Sequence, residues 1–151
     1  CQPGDVLVVA NTAPSTHGMF GDLFATSLMA RGVRGLVIDA GVRDTAELRS
    51  MGFPVWSQHV SCQGTVKNTP GSVNGPVVLG GVTVQPGDVV CADDDGVVIV
   101  ARVNAAWALE RTDARLAKEE QMRATLEAGE LGVDVYGLRQ KLVDMGVEYI
   151  E

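Results

Sequence analysis

The chain has 151 residues, of which 46% are hydrophobic and 21% charged, so it can bury the core of one domain of ordinary size. A formal net charge of −7 argues against a basic nucleic-acid face, and no apolar run approaches the roughly 20 residues of a membrane span. We therefore expect a single domain over residues 1–151, with neither nucleic acid nor a membrane as its partner.

The first third of the chain alternates predicted strands and helices. A continuous apolar run at residues 5–10 is typical of a buried strand. Residues 21–31 are predicted as a helix ended by glycines, residues 36–38 as a short buried strand, and residues 43–51 as a second helix. This order is typical of a parallel sheet.

The middle of the chain is rich in β-type residues and turns. Six apolar runs are predicted as strands: residues 54–56, 64–66, 77–79, 82–84, 89–91 and 97–100. The sequence Gln2-Pro3-Gly4-Asp5-Val6 recurs as Gln85-Pro86-Gly87-Asp88-Val89, which predicts the same turn used twice, with no solenoid repeat. The acidic run at residues 93–96 is predicted to be a tight hairpin turn and no metal site.

The last third is predicted to be helical. A long helix is expected from Asn104, as N-cap, to about Ala128, with Gly129 in the C-cap position. A further short helix is expected around residues 138–144. The order of all these elements predicts an α/β fold with layers, in which a mixed sheet is flanked by helices.

The pair Arg43-Asp44 follows the carboxyl end of a predicted strand, where α/β folds place ligand sites. A capping Asp beside a solvated Arg would explain the pair without a site. The glycine-rich residues 18–21 lead into a helix that Asp22 opens, and the amides at a helix N-terminus bind carboxylates. Asp44 would suit a hard cation such as Mg²⁺, and Arg43 would stabilise charge on an enolate oxygen.

Two runs carry a family resemblance. Residues 21–26 (GDLFAT) and 35–44 (GLVIDAGVRD) resemble the RraA-like superfamily. Within it, the match is to the class II pyruvate aldolases that act on 4-hydroxy-4-methyl-2-oxoglutarate and 4-carboxy-4-hydroxy-2-oxoadipate. Their signature is an Asp followed, after twenty residues, by Arg-Asp, and Asp22, Arg43 and Asp44 meet it. Residues 64–68 and the 86–97 hairpin are also similar to this family.

The resemblance implies a swivelling β/β/α fold and a divalent-metal-dependent pyruvate aldolase that also decarboxylates oxaloacetate. It implies that Asp44 ligates Mg²⁺ or Mn²⁺ directly, that Asp22 acts through metal-bound water, and that Arg43 polarises the keto oxygen and stabilises the enolate. Lys67 matches a lysine near the pocket. The substrate carboxylate would be held by the backbone amides of Gly21, Asp22, Leu23 and Phe24.

The resemblance also implies a homotrimer or homohexamer with the site at a subunit interface. A glutamate from the last long helix of a neighbour completes the site in the family, and Glu119 has that position. On a helical wheel Glu119 shares an arc with several apolar residues, but Glu120 lies close to the same arc, so periodicity does not separate the two. The family usually has a substantial N-terminal portion that this chain is expected to lack.

Two other functions stay open. RraA-like regulators bind and inhibit a ribonuclease, and the resemblance implies that they depart from the signature formed by Asp22, Arg43 and Asp44. In a third mechanism, Lys67 would form a Schiff base with the substrate, which requires an apolar pocket that lowers the pKa of such a lysine.

The remaining polar residues are interpreted structurally. The three cysteines are widely spaced without a Cys-x-x-Cys pair, and the chain opens without a basic signal segment, so a cytoplasmic protein with free thiols is expected. The two histidines are too few for a zinc cluster: His17 is interpreted as a loop neighbour of the glycine segment and His59 as structural. Asp39 is expected to bond backbone groups near the site.

Overall fold

The computed structural model describes residues 1–148, which form eight strands and five α-helices in two compact units, Cys1–Val103 and a second unit that begins at Asn104. None of the helices within residues 1–148 is long and apolar enough to cross a membrane. The elements of the first unit, in chain order, are β1 (Val6–Val9), β2 (Gly18–Phe20), α1 (Asp22–Met29), β3 (Gly35–Val42), α2 (Thr45–Ser50), β4 (Val55–Val60), β5 (Val77–Leu79), β6 (Val82–Val84), β7 (Val89–Ala92) and β8 (Val97–Val100).

Strand β3 is the centre of a four-stranded parallel sheet. Strand β4 pairs along one edge of β3, and β1 and β2 pair one after the other along the opposite edge. The register passes from Ile38 opposite Ser57 to Gly41 opposite His59, so β3 contains one extra residue between these pairs, a β-bulge at residues 39–40. The bulge lies opposite the loop that joins β1 to β2.

The core explains why all residues of β3 except Asp39 are apolar or glycine. Both faces of this strand are covered, so seven of its eight residues are buried and Leu36 is fully enclosed. Helices α1 and α2 contribute Ala25 and Leu48 to the same cluster, and the rings of Phe20 and Phe53 stack with centroids 6.0 Å apart. The same core cluster therefore packs α1 and α2 against the parallel sheet.

The antiparallel strands form separate ribbons, β5 with β6 and β7 with β8. In the turn between β7 and β8, the carboxylate of Asp93 accepts the backbone N–H groups of Asp95 and Gly96. The predicted hairpin turn at residues 93–96 is thus confirmed. The indole N–H of Trp56, on β4, donates to the Asp93 carbonyl over 2.7 Å and ties the ribbon to the parallel sheet.

The two copies of the Gln-Pro-Gly-Asp sequence adopt the same turn, as predicted. Asp5 accepts the N–H of Gln2 over 2.7 Å, and Asp88 accepts that of Gln85 over 2.8 Å. The glycines Gly4 and Gly87 have φ angles of 95° and 90°, which only glycine adopts without strain. Asp88 also accepts the N–H of Arg102, and these two backbone hydrogen bonds lower the pKa of its carboxyl group.

The second unit contains α3 (Ala105–Glu127), α4 (Gly132–Val135) and α5 (Arg139–Asp144). The predicted long helix is confirmed, although the Asn104 side chain makes no capping hydrogen bond, and Gly129 follows the helix end with a positive φ of 93°. Asp134 and Arg139 form a two-fold hydrogen-bonded pair, and this side-chain hydrogen bonding lowers the pKa of Asp134.

The predicted α/β class is confirmed. The parallel and antiparallel strand pairs, expected in one mixed sheet, lie in separate sheets: the four-stranded sheet is parallel, and the two-stranded sheets are antiparallel. Several details of the secondary structure were wrong: α4 was not predicted, and β3 is longer than the expected strand at residues 36–38. Residues 64–66 form no strand, and residues 18–20, expected only as a lead-in to α1, form β2. Strand β2 is short because β1 and β2 share one edge of β3, and a single sequence does not reveal such sharing.

Candidate active site

Asp44 occupies the turn between β3 and α2. Its backbone lies in the left-handed region, with φ 57° and ψ 38°, which Asp tolerates better than most residues. Its carbonyl accepts the N–H of Leu48 over 2.9 Å, so the residue begins α2 through its main chain. The carboxylate makes no capping bond to α2 and is directed elsewhere. A purely capping role for Asp44 is therefore excluded.

The Asp44 carboxylate lies against the start of α1. Its Oδ2 accepts the backbone N–H of Asp22, with 3.3 Å between the two atoms. Gly21 makes this approach possible, because a Cβ atom on Gly21 would overlap Oδ2 of Asp44 and come within 3.1 Å of Nε of Arg43. Gly21 itself has an extended backbone with φ −155°, so it is the absence of a side chain, and not an unusual dihedral, that the site requires.

Arg43 lies between Asp44 and β2. Its Nε is 3.4 Å from Oδ2 of Asp44, and its Nη1 donates to the carbonyl oxygen of Gly18 over 3.0 Å. The side chains of Arg43 and Asp44 are 39% and 34% exposed, so solvent reaches both. A Cβ atom on Gly18 would overlap the carbonyl oxygen of Ser61, so Gly18 lets β2 pass close to the segment that follows β4. The guanidinium is thus held at two points and still faces solvent.

The amides at the start of α1 are partly used within the chain. The N–H of Leu23 donates to the Asp22 carboxylate over 2.7 Å, and that of Asp22 donates to Asp44. Within residues 1–148 no acceptor is found for the N–H of Phe24. The side chains of Leu23 and Phe24 are 78% and 58% exposed, so an apolar surface borders this amide.

The donors present suit a hard cation with few protein ligands. Both contacts of the Asp44 carboxylate use Oδ2, which leaves Oδ1 available, and Asp22, whose backbone N–H makes one of these contacts, carries a second carboxylate at the start of α1. No group of three or more His, Cys, Asp or Glu side chains is arranged to hold a metal among the described residues. One carboxylate with water in the other positions is an arrangement that Mg²⁺ accepts, whereas Zn²⁺ requires more protein ligands.

Two further predicted site residues, Lys67 and Glu119, lie outside this cluster of contacts. Lys67 is exposed on the irregular segment after β4, and within the described chain its amine makes no hydrogen bond or ion pair. Glu119 lies on α3 in the second unit, where it accepts from Nε of Arg115 over 2.6 Å, one helical turn away. The proposed roles of both residues stay predictions.

Sequence analysis missed a polar cleft at the bulge of β3. This cleft has a volume of about 630 Å³ and is lined by the loop at residues 11–17 together with Asp39, Gln58 and His59. Asp39 was expected to bond backbone groups through its carboxylate. Instead its carbonyl accepts from the Asn11 amide over 3.0 Å, and no hydrogen bond to its carboxylate is found in the described part of the chain. Both histidines of the chain line this cleft. In the sequence, the position of His17 directly before Gly18 was a signal that could have indicated it.

Comparison with known proteins places the chain among RraA-like proteins. The sequence model of that family, described as Aldolase/RraA, matches residues 1–99. A Halalkalibacterium halodurans protein, provisionally named a 4-hydroxy-4-methyl-2-oxoglutarate aldolase, is 25% identical over 89% of this chain and 64% of its own length. A Shewanella oneidensis protein with the same provisional name is 38% identical over 64% of this chain and 58% of its own length. The chain thus spans less than two thirds of either relative.

Solved structures agree on the fold. An uncharacterized protein from Pseudomonas syringae pv. tomato superimposes with a TM-score of 0.83 and 28% identity, over 90% of this chain and 68% of that one. Streptomyces coelicolor RraAS2, described as an unusual member of the RNase ES inhibitor RraA protein family, gives a TM-score of 0.75 and 33% identity. That match covers 82% of this chain and 64% of the Streptomyces protein.

Proposed function

Because this chain belongs to the RraA-like family, we propose that it forms the core of a divalent-metal-dependent pyruvate aldolase. Its substrates would be 4-carboxy-4-hydroxy-2-oxoadipate, cleaved to pyruvate and oxaloacetate, and 4-hydroxy-4-methyl-2-oxoglutarate, cleaved to two molecules of pyruvate. The provisional aldolase names of two relatives support the reaction class. The full enzyme would act as a homotrimer or homohexamer.

The observation that carries this proposal is the junction of Asp22, Arg43 and Asp44. One carboxylate oxygen of Asp44 accepts the N–H at the start of α1 and also faces the Arg43 guanidinium. The three residues of the family signature thus form one cluster, although they come from two separate turns. A cluster of this kind supplies a carboxylate for a cation and a fixed positive charge beside it.

Each residue would have a defined task. Asp44 would hold Mg²⁺ or Mn²⁺ through its available oxygen, Asp22 through water, and Glu119 of the partner subunit through water. When bound, the divalent ion would withdraw electron density from the keto group of the substrate. The Phe24 N–H would bind the carboxylate next to that keto group, and the Arg43 guanidinium would stabilise negative charge on the enolate oxygen.

The chemistry balances as a retro-aldol cleavage. The C4 hydroxyl loses its proton, the C3–C4 bond breaks, and its electron pair moves to C3 to give the enolate of pyruvate. A proton added to C3 then completes pyruvate. Oxaloacetate reaches the same enolate by loss of CO₂, so one arrangement of Arg43 would serve both reactions.

A non-catalytic role is the second candidate, because the chain is similar to RraAS2, described as belonging to a family of ribonuclease inhibitors. The intact signature of Asp22, Arg43 and Asp44 favours catalysis over this alternative. A Schiff-base mechanism has less support, since Lys67 is exposed and lies in no apolar pocket of the described chain.

The deciding experiment measures pyruvate release by the full-length protein from 4-carboxy-4-hydroxy-2-oxoadipate and from oxaloacetate, with Mg²⁺ and after EDTA. We expect release from both substrates with Mg²⁺ and none after EDTA, and we expect borohydride to trap no substrate on Lys67. Absence of release with either Mg²⁺ or Mn²⁺ would contradict the aldolase and favour the regulator.

A further inference from the structure

The polar cleft at the β3 bulge has a chemistry of its own. Its lining combines the hydroxyl groups of the 11–17 loop with two side-chain amides, two imidazoles and the carboxylate of Asp39, without a lysine or an arginine. Imidazole N–H groups, an amide and hydroxyls are hydrogen-bond donors that suit oxygen atoms of a small polar ligand. A cleft of about 630 Å³ lies within the size range of small-molecule sites.

The cleft is preformed by contacts of its walls with the sheet. The loop passes directly over Gly41, because a Cβ atom there would overlap the carbonyl oxygens of Thr16 and His17. The Asn11 amide fixes the other end of the loop by donating to the Asp39 carbonyl over 3.0 Å. Between them, Oγ of Ser15 accepts the N–H of His17 over 3.3 Å. The loop is therefore tied at three points to a rigid strand or to itself.

Two residues of the cleft are connected to Arg43 through the backbone. His17 precedes Gly18, whose carbonyl oxygen accepts from Nη1 of Arg43. His59 is the β4 partner of Gly41, which lies two residues before Arg43 on the same strand. Two residues of a parallel strand span roughly 7 Å, so the backbone of His59 lies about the length of a small oxo-acid from the level of Arg43 along the sheet.

The positions of α1, Arg43 and the cleft define the orientation of a bound substrate. The Nε side of the guanidinium faces Asp44 and the start of α1, where the Phe24 N–H would bind the carboxylate beside the keto group. The Nη1 side reaches the carbonyl oxygen of Gly18, the residue that follows His17 of the cleft. A substrate whose keto oxygen lies at Arg43 and whose adjacent carboxylate lies at α1 therefore extends its C4 end toward His17 and His59.

We propose that this cleft binds the C4 substituents of the substrate, and that His17 and His59 donate hydrogen bonds to a carboxylate carried there. This inference rests on the proposed aldolase function and adds the residues that select the substrate. The cleft would favour a carboxymethyl group over a methyl group at C4, because a methyl group accepts no hydrogen bond and leaves the polar lining unpaired.

The test compares specificity constants within one protein. Oxaloacetate carries no substituent beyond C4, so the ratio of kcat/KM for 4-carboxy-4-hydroxy-2-oxoadipate to kcat/KM for oxaloacetate isolates the cleft. We expect His59→Leu and His17→Leu each to lower this ratio roughly 10- to 100-fold, the usual effect of losing a hydrogen bond to a charged group. We expect His59→Gln, which keeps an N–H donor, to retain most of the ratio.

A matched control is Thr83→Leu, at an exposed strand position on β6 outside the cleft. Circular dichroism of each variant verifies that the fold is intact. If the wild-type protein cleaves both substrates and neither histidine variant lowers the ratio, the inference is wrong while the aldolase stands. If the wild-type protein releases no pyruvate from either, the proposed function fails and the inference fails with it.

Discussion

The backbone N–H of Asp22 donates to Oδ2 of Asp44, with 3.3 Å between the two atoms. This bond joins the first turn of α1 to the turn that follows β3, and it crosses the place where Gly21 has no side chain. The position of the Asp44 carboxylate therefore depends on two separate stretches of the sequence. Asp44, Arg43 and Gly21 each contribute to the geometry of this junction.

Asp44→Asn removes the negative charge and keeps the side-chain shape. Asn is also tolerated in the left-handed conformation of residue 44, whereas Ala would add backbone strain to the result. We expect affinity for Mn²⁺ to fall by more than about 100-fold, since even outer residues of metal sites contribute roughly 10- to 100-fold. Isothermal titration with Mn²⁺ measures this, with Asp94→Asn, in the β7–β8 turn, as control. Unchanged affinity would exclude Asp44 as the ligand.

Arg43→Ala removes the charge that would stabilise the enolate. We expect kcat for pyruvate release to fall about 10²- to 10³-fold, the usual effect of losing one such donor. Arg43→Lys should restore little, because one ammonium group does not reproduce the fork that reaches both Asp44 and Gly18. Steady-state kinetics with oxaloacetate tests both variants. Near-normal turnover in Arg43→Ala would remove the role assigned to this residue.

Gly21→Ala tests the close approach at the junction. The added methyl group would overlap the Asp44 carboxylate and press on the Arg43 side chain, and both of these can move without unfolding the chain. We expect kcat/KM for oxaloacetate to fall roughly 100-fold, as for other small misplacements of reacting groups, with little change in thermal stability. Gly75→Ala is the matched control, because a methyl group there meets no atom within 4 Å. Equal activity of the two variants would contradict the prediction.

Asp88 should make stability depend on acid pH. Its backbone hydrogen bonds to Gln85 and Arg102 lower the pKa of its carboxyl group below the ordinary value of 3.8. A lowered pKa in the folded state stabilises the protein above that value, and the contribution disappears as the pH falls through the lowered pKa. The difference in urea midpoint between the wild type and Asp88→Asn should therefore shrink below pH 3.8.

Urea titrations at a series of pH values measure this difference, and Asp94→Asn provides an exposed aspartate for comparison. A constant difference between wild type and Asp88→Asn from neutral to acid pH would show that the charge of Asp88 has no part in stability.

Short sequence patterns predicted those strands and turns whose structure depends on neighbouring residues in the sequence. The apolar run at residues 36–38 predicted a short buried strand, which the structure extends to Gly35–Val42, and the two Gln-Pro-Gly-Asp sequences predicted two equal turns. The family signature predicted Asp22, Arg43 and Asp44 as one cluster, and the structure brings these three together. Whether they act as proposed is for the kinetic experiments to decide.

The cleft lay beyond sequence analysis because it depends on the register of the sheet. The single extra residue at the bulge of β3 places His59 opposite Gly41 and beside the loop that carries His17. The two histidines are 42 positions apart in the sequence, and neither belongs to a periodic pattern. Pairing between distant strands, rather than the preference of any residue, brings them to one site.

The shared edge of β3 has a consequence for how such a protein can diversify. Strands β1 and β2 pair with the same edge, so the loop between them leaves and rejoins a single rigid strand. Changes of length or composition in that loop alter the wall of the cleft without shifting the register that holds Arg43. Such a loop is where variation in sequence is tolerated without disturbing the scaffold beneath it.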